Sequence, residues 1–319
     1  MEQRLLRLGA AIIGGALCLW LVCAVFLQPL PWVLQRQELL SFLVYLETGR
    51  HLRYFGDIPE ETQPPLAETP PKEDFDIPAF QEAELAGLMV QDLAGRQPDL
   101  PALLTAPLKW DLTQGEPAVL ILHTHATEGF AGVENYRSLD EEENMLSIGA
   151  EVARLLESAG IGVIQDRSLH DYPDYNSAYN SSRSSVQDYL DRYPTIRVVL
   201  DLHRDAAAAG EEQLVTSAVV GGQRSAQLMM VVGTDTLSEH PYWQENLSLA
   251  LKLSALLERE NPGICRPLQL RRQRFNLDLS PGSLLIEVGA AGNTHEEAVI
   301  AAHALAQAII ALSRGTEMA

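Results

Sequence analysis

Residues 118–128, AVLILHTHATE, run five apolar residues straight into His123, His125 and Glu128. A short, uncharged aliphatic run of this kind reads as a buried strand. The segments after it decide the fold, because the alternation continues. ENMLSIGAEVARLLESAG (143–160) carries apolar residues at helical spacing and ends at Gly160. IGVIQ (161–165) reads as a strand, NSAYNSSRSSVQDYLDRYP (176–194) as a helix stopped by Pro194, and TIRVVLDLH (195–203) as a strand. LVTSAVV (214–220) and AQLMMVVG (226–233) read as two more strands, and YWQENLSLALKLSALLERE (242–260) as a long helix. ICRPLQLRR (264–272) and SLLIEVG (283–289) are further strands, and THEEAVIAAHALAQAIIALSR (294–314) is a closing helix. Strands alternating with helices predict an α/β fold, a mostly parallel central sheet flanked by helices.

Upstream the composition changes. Leu8 to Leu27 carries no charge, and these 20 residues match the roughly 30 Å hydrocarbon core at about 1.5 Å per residue. Arg4 and Arg7 precede the run, so an uncleaved anchor over 1–35 with a cytoplasmic N-terminus is expected. The run is too long for a signal-peptide apolar region and ends without a clear cleavage site. RQELLSFLVYLETGRHL suggests a juxtamembrane helix (36–56). Residues 57–78 hold six prolines, seven acids and one lysine, which makes 57–80 an extended linker. QEAELAGLMVQDL reads as an orphan helix within a connecting segment (81–114), leaving 115–316 as the catalytic domain.

The formal net charge is -20, from 43 acids and 23 bases, which argues against a nucleic-acid partner. Cys18 and Cys23 fall in the anchor, so Cys265 stands alone outside it and is read as structural. No disulfide forms there, and a metal must rely on His, Asp and Glu.

In parallel α/β sheets, sites lie beyond the carboxyl ends of the strands. AVLIL is followed by His123, His125 and Glu128; IRVVLDL by His203, Arg204 and Asp205; and SLLI by Glu287, with Asn293 a little further on. His125, Glu128 and His203 offer three protein ligands, and an open fourth position would complete a catalytic zinc (Zn2+) site. Glu287, at the end of an apolar strand, suits a general base of raised pKa. His123 could replace His125 as ligand, orient a ligand or bind substrate; His125 is chosen because it owns the x-x-Glu spacing. Arg204 or Asn293 could steady an oxyanion or orient substrate. His170, His240, His295 and His303 read as loop or helix-surface residues, and the Tyr, Asn and Ser residues of PDYNSAYNSSRSS as the lining of a polar groove or, in preference, a solvated helix face. HRD (203–205) lacks the other kinase motifs, and no G-x-S-x-G elbow is present.

LILHTHATEGF, HDYPDYNSAYNSSRSSV, VVLDLHRDA, VVGTD and FNLDLSPGSLLIEVGAAGNTHEEA, in this order behind an N-terminal anchor, resemble the stage II sporulation protein P family. The resemblance covers roughly residues 115 to 313. It implies an amidase-like or carboxypeptidase-like fold similar to the zinc-dependent N-acetylmuramoyl-L-alanine amidases, with His125, His203 and Glu287 on matching positions. In those enzymes the acidic ligand lies further along, so Asp140 and Glu143 stay open beside Glu128. The resemblance implies cleavage of peptidoglycan, between N-acetylmuramic acid and the stem peptide, with peptide cross-links as a second target. It also implies work at the sporulation septum during engulfment, alongside stage II sporulation protein D. Leu277 stands where the pattern expects a glutamine, which bears on substrate contacts. A non-catalytic wall-binding scaffold and a zinc carboxypeptidase are the alternatives.

Overall fold

A computed structural model describes residues 80–108, 112, 117–206, 208–209 and 212–314. The expected anchor, juxtamembrane helix and acidic linker up to residue 79 lie outside the described residues. The rest builds one seven-stranded sheet. Strands β2 (Pro117–Leu122), β3 (Gly162–Gln165), β4 (Val198–Asp205) and β11 (Ser283–Ala290) run parallel in the order β11-β4-β2-β3. Strands β1 (Val90–Asp92), β10 (Leu268–Arg271) and β9 (Leu228–Gly233) are parallel to one another, and β9 meets β11 antiparallel. The sheet is therefore mostly parallel, with a single reversal beside β11.

Helices cover both faces. On one, α2 (Met145–Ser158), α4 (Trp243–Glu260) and α5 (His295–Arg314) share a large apolar core with Ile121, Leu200, Leu202 and Ile286. On the other, Val186 of α3 (Ala178–Arg192) packs with Leu120, Leu122 and Val199. Side chains alternate along a strand. Hence Asp201 and His203 share Val199's face of β4, and Glu287 shares Leu285's face of β11. Among the described residues α5 is the one helix long and apolar enough to cross a membrane; 67% of that stretch is buried, so its apolarity serves the core.

Local chemistry sets the ends of these elements. Asn144 caps α2 by accepting from Leu146 N, and Gly160 beyond its end takes φ +87°, a conformation that favours glycine. Gly149 lies mid-helix for a packing reason: a Cβ there would sit 2.4 Å from Nε2 of His123.

Two expectations change. Residues 214–220 do not add a strand to the main sheet. Only Ala218–Val220 (β7) is extended, paired with Gln223–Ser225 (β8) around Gly221 and Gly222, both at positive φ. Thr216 instead gives its N–H and hydroxyl to Asn293 Oδ1, and its carbonyl accepts from Asn293 Nδ2, so the sheet receives nothing from it. A second small ladder pairs β5 (Ala208–Ala209) with β6 (Glu212–Gln213). The expected orphan helix is a short 3-10 helix, Glu82–Gly87, leading into β1, the edge strand of the main sheet. A further helix, α1 (Leu100–Thr105), begins at Asp99, whose carboxylate accepts from Ala102 N. Its last carbonyls, on Leu103 and Leu104, accept from the buried ammonium of Lys252. Burial lowers the pKa of that lysine to about 8.

Candidate active site

The carboxyl ends of β2, β4 and β11 lie side by side, and the expected residues gather there. Leu122 pairs with Asp201, and His203 with Glu287. After β2 the chain turns tightly, Glu128 N donating to His125 O, and Glu128 and Gly129 bridge back to Arg137 and Asn144. That turn buries Glu128 against β4: Arg204 N donates to Glu128 Oε2 at 3.2 Å, and His203 Nδ1 lies 3.5 Å from the same oxygen. The rings of His125 and His203 are 5.4 Å apart and nearly perpendicular. A carboxylate stands behind each: Asp201 Oδ1 is 3.0 Å from His203 Nε2, and Asp171 Oδ2 is 3.9 Å from His125 Nδ1.

Burial governs the electrostatics. For Glu287 desolvation dominates, reinforced by the negative charges of Glu128 and Asp205, and the pKa rises to about 8 although His203 opposes it. Its Oε2 is buried with no hydrogen-bond partner among the described residues. Glu128 and Asp201 go the other way. Burial alone would raise them, but His203 holds both below the usual carboxylate range, helped by Arg204 and Thr124 respectively. Burial would likewise lower His203, yet Asp201 and Glu128 lift it well above its ordinary value. Burial lowers His125.

This donor set suits a divalent metal. Ligand atoms around tetrahedral zinc lie roughly 3.3–3.5 Å apart, given bond lengths of about 2.0–2.2 Å. The Glu128–His203 contact has that spacing, and His125 Nδ1 is buried beside it with no hydrogen-bond partner. Asp201, on the His203 nitrogen turned away from Glu128, occupies the place of an outer carboxylate that orients a metal-binding imidazole, whereas Asp171 lies 3.9 Å from the same His125 nitrogen that is free for a metal. Among the described residues, no three His, Cys, Asp or Glu side chains already enclose a common point.

The remaining candidates have other surroundings. His123 is fully buried: Nδ1 meets Leu202 O at 3.1 Å and Nε2 meets the Gln165 amide at 3.2 Å. With the amide donating to Nε2 and Nδ1–H donating to the carbonyl, the ring is neutral, and burial lowers its pKa to about 4. Its nitrogens tie β2 to β4 and β3. Arg204 spends its guanidinium on Gly129 O and Tyr136 O, which holds the Glu128 turn in place. Asn293 is saturated by Thr216, Ala290 and Glu297 and fastens β11 to α5. Glu143 accepts from Ser138, and Asp140 Oδ1 from Glu142 N, in the loop before α2. Leu277 packs with Met229, Val231 and Leu285.

Two histidines expected at the surface are buried. His170 bridges Asp166 and Ser181, and His240 is 1% exposed with both ring nitrogens unpartnered. His295 and His303 are half-buried and meet Ser147 and Glu151. The segment expected as a solvated face lines the site. Tyr175 stacks on His125 at 4.3 Å, Tyr179 meets that ring edge-on at 5.6 Å, and Ser182 accepts from Thr124. Asp201 had a legible signal, an acid two residues before His203 in an apolar strand. Asp171, in a loop far along the chain, had none.

An α/β protein with two imidazoles and two carboxylates gathered at one sheet edge is the class that fold and site define. Over residues 59–310 the chain matches the family described as stage II sporulation protein P, and it belongs to that family. It is 28% identical over 258 residues to stage II sporulation protein P of Bacillus subtilis (strain 168), a match covering 75% of this chain and 60% of that protein's length. Among solved structures it is similar to N-acetylmuramoyl-L-alanine amidase AmiC2 of Nostoc punctiforme, at 17% identity and TM-score 0.40, covering 60% of this chain and 94% of that one. It is similar also to the CwlD amidase from Clostridioides difficile in complex with the GerS lipoprotein, at 16% identity and TM-score 0.39, covering 62% and 95%.

Proposed function

We propose that this chain is a zinc-dependent peptidoglycan hydrolase of sporulation. Its bond is the amide between N-acetylmuramic acid and the stem peptide, with peptide cross-links as a second target. The apolar run 8–27 anchors it, and the catalytic domain works outside the cytoplasm during engulfment, beside a glycan-cleaving partner such as stage II sporulation protein D. One observation carries the reading: Glu287 presents a buried, unpartnered carboxylate oxygen directly across from His203, next to Glu128. Membership of the stage II sporulation protein P family supports it.

Zn2+ held by His125, Glu128 and His203 would supply Lewis acidity at the scissile carbonyl and activate water. The chain's own groups do the rest. Glu287 Oε2 takes a proton from the attacking water and returns it to the departing amine nitrogen. Asp201 keeps His203 oriented, and the stacked ring of Tyr175 does the same for His125. Arg204 fixes the Glu128 turn.

Digestion of purified peptidoglycan, followed by mass spectrometry of the products, tests this. An amidase frees whole stem peptides with new amino termini from intact glycan. Release of single terminal residues would indicate a carboxypeptidase, and no products at all, with metal bound, would indicate a wall-binding scaffold.

A further inference from the structure

The loop after β10 lies against α3 on the face that carries His203 and Glu287. Asn276 Nδ2 donates to Tyr179 O and to Ser182 Oγ, so the loop is fastened to the turn of α3 that touches His125. Phe275 sits 5.9 Å from the Tyr179 ring. It also joins Leu285, two residues before Glu287 on the same face of β11. The loop is thus a wall of the active-site rim.

Arg274 of that wall and Arg183 of α3 share one carboxylate. Arg183 grips Asp278 with two bonds of 2.9 Å, and Arg274 reaches it with one of 3.2 Å. Asp278 is nearly buried, whereas the Arg274 side chain is 39% exposed. Asp278 supplies one negative charge against two positive ones, so the cluster carries a net +1. Arg183 completes its pairing there. Arg274 makes only that single bond among the described residues, and its remaining N–H donors are left over. A guanidinium with a free edge is the group best matched to a second carboxylate. The setting sharpens the contrast, because the chain as a whole carries -20. His240 is buried with both ring nitrogens unpartnered among the described residues; burial lowers its pKa, against Asp278 and Asp235 and with Arg274.

We propose that Arg274, seated on the Arg183–Asp278 pair, is a carboxylate subsite that selects an acidic peptide over its amidated counterpart. The proposal rests on the hydrolase reading above, and it names the chemistry of the stem peptide that reading leaves open. Arg274 binds and does not react. Arg183 and Asp278 are positioning residues that hold the loop and leave Arg274 its free edge.

The test is binding without turnover, on the full chain carrying Glu287→Gln, with Arg274 read by its side-chain NMR signal. Two short peptides are titrated, one with free side-chain carboxylates and the same peptide with carboxamides. The acidic peptide should bind roughly tenfold or more tightly, in line with one charge-assisted contact, and shift the Arg274 signal. Adding Arg274→Gln should remove the difference while leaving the weaker binding of the amidated peptide unchanged. Equal binding of both peptides overturns the proposal, as does a preference that survives Arg274→Gln. An Arg274 signal that answers to inorganic phosphate but to neither peptide overturns it in favour of a phosphate source. Hydrolysis by the otherwise unaltered chain is measured separately. Its absence, with the binding preference intact, would reject the hydrolase reading and leave the subsite standing.

Discussion

Glu287 and His203 are register partners across β11 and β4, side by side on the one face of the sheet that α3 covers. Neither is near the other in sequence. Parallel pairing sets them opposite each other in the carboxyl-terminal halves of β4 and β11, and the matching parity of the two strands sends both side chains the same way.

The first prediction follows from that pair. Glu287→Gln keeps the shape and removes the base, so hydrolysis of purified wall should fall by roughly 10²–10⁴-fold. The same change should stabilise the metal-free protein. The folded pKa of Glu287 is raised to about 8 from an ordinary 4.5, so the unfolded chain loses this proton first, and stability is lost as pH rises from 4.5 through 8. Thermal melts should show a larger gain for the variant at pH 8 than at pH 5. An equal gain at both would reject the raised pKa.

Metal uptake should be proton-linked. Asp201 and Glu128 lift His203 well above 6.5, so near neutral pH the free ring carries a proton that a metal must displace. Zinc affinity should therefore rise with pH. Calorimetry in two buffers of different ionisation enthalpy should report proton release on binding. Asp201→Asn, which weakens the orientation of His203, should cost roughly 10–100-fold in zinc affinity.

Replacing any one of His125, Glu128 and His203 by Ala should empty the proposed zinc site. Elemental analysis of the purified protein should fall from near one metal per chain toward none. His123→Gln, which alters only the buried tie between strands, should retain the metal.

Gly149→Ala places a Cβ about 2.4 Å from His123 Nε2, with Gln165 2.6 Å away. The His123 ring is fully buried and tied to Leu202 O, so the substitution should cost about 1–3 kcal/mol, measured by denaturant unfolding. An unchanged midpoint would mean that His123 does not fill this space.

Tyr175→Ala removes the ring stacked on His125. Stability should drop by about 1 kcal/mol, and kcat/KM by a larger share than that loss implies, because a proposed ligand loses its support.

Much of this was legible in residue order because its cause is local. Hydrophobic periodicity marked β2, β4, β9, β11 and the four long helices, and the ends of the apolar runs pointed to His125, Glu128, His203 and Glu287 as candidates, although β4 and β11 extend past His203 and Glu287. Where local pattern was weak, the reading slipped. LVTSAVV looks like a strand, but Thr216 is claimed by Asn293. PDYNSAYNSSRSS looks solvated, but its tyrosines close over His125.

The sequence by itself determined the α/β alternation and pointed to the candidate residues near the carboxyl ends of the apolar runs, since periodicity and turn chemistry act over a few neighbours. Tertiary structure alone decided that β11 inserts between β9 and β4, and so that Glu287 faces His203. It also separated the two histidines of HTHATE, turning His123 into the core and leaving His125 beside His203. Those outcomes depend on strand order, register and burial, which are set by contacts between residues far apart in the chain.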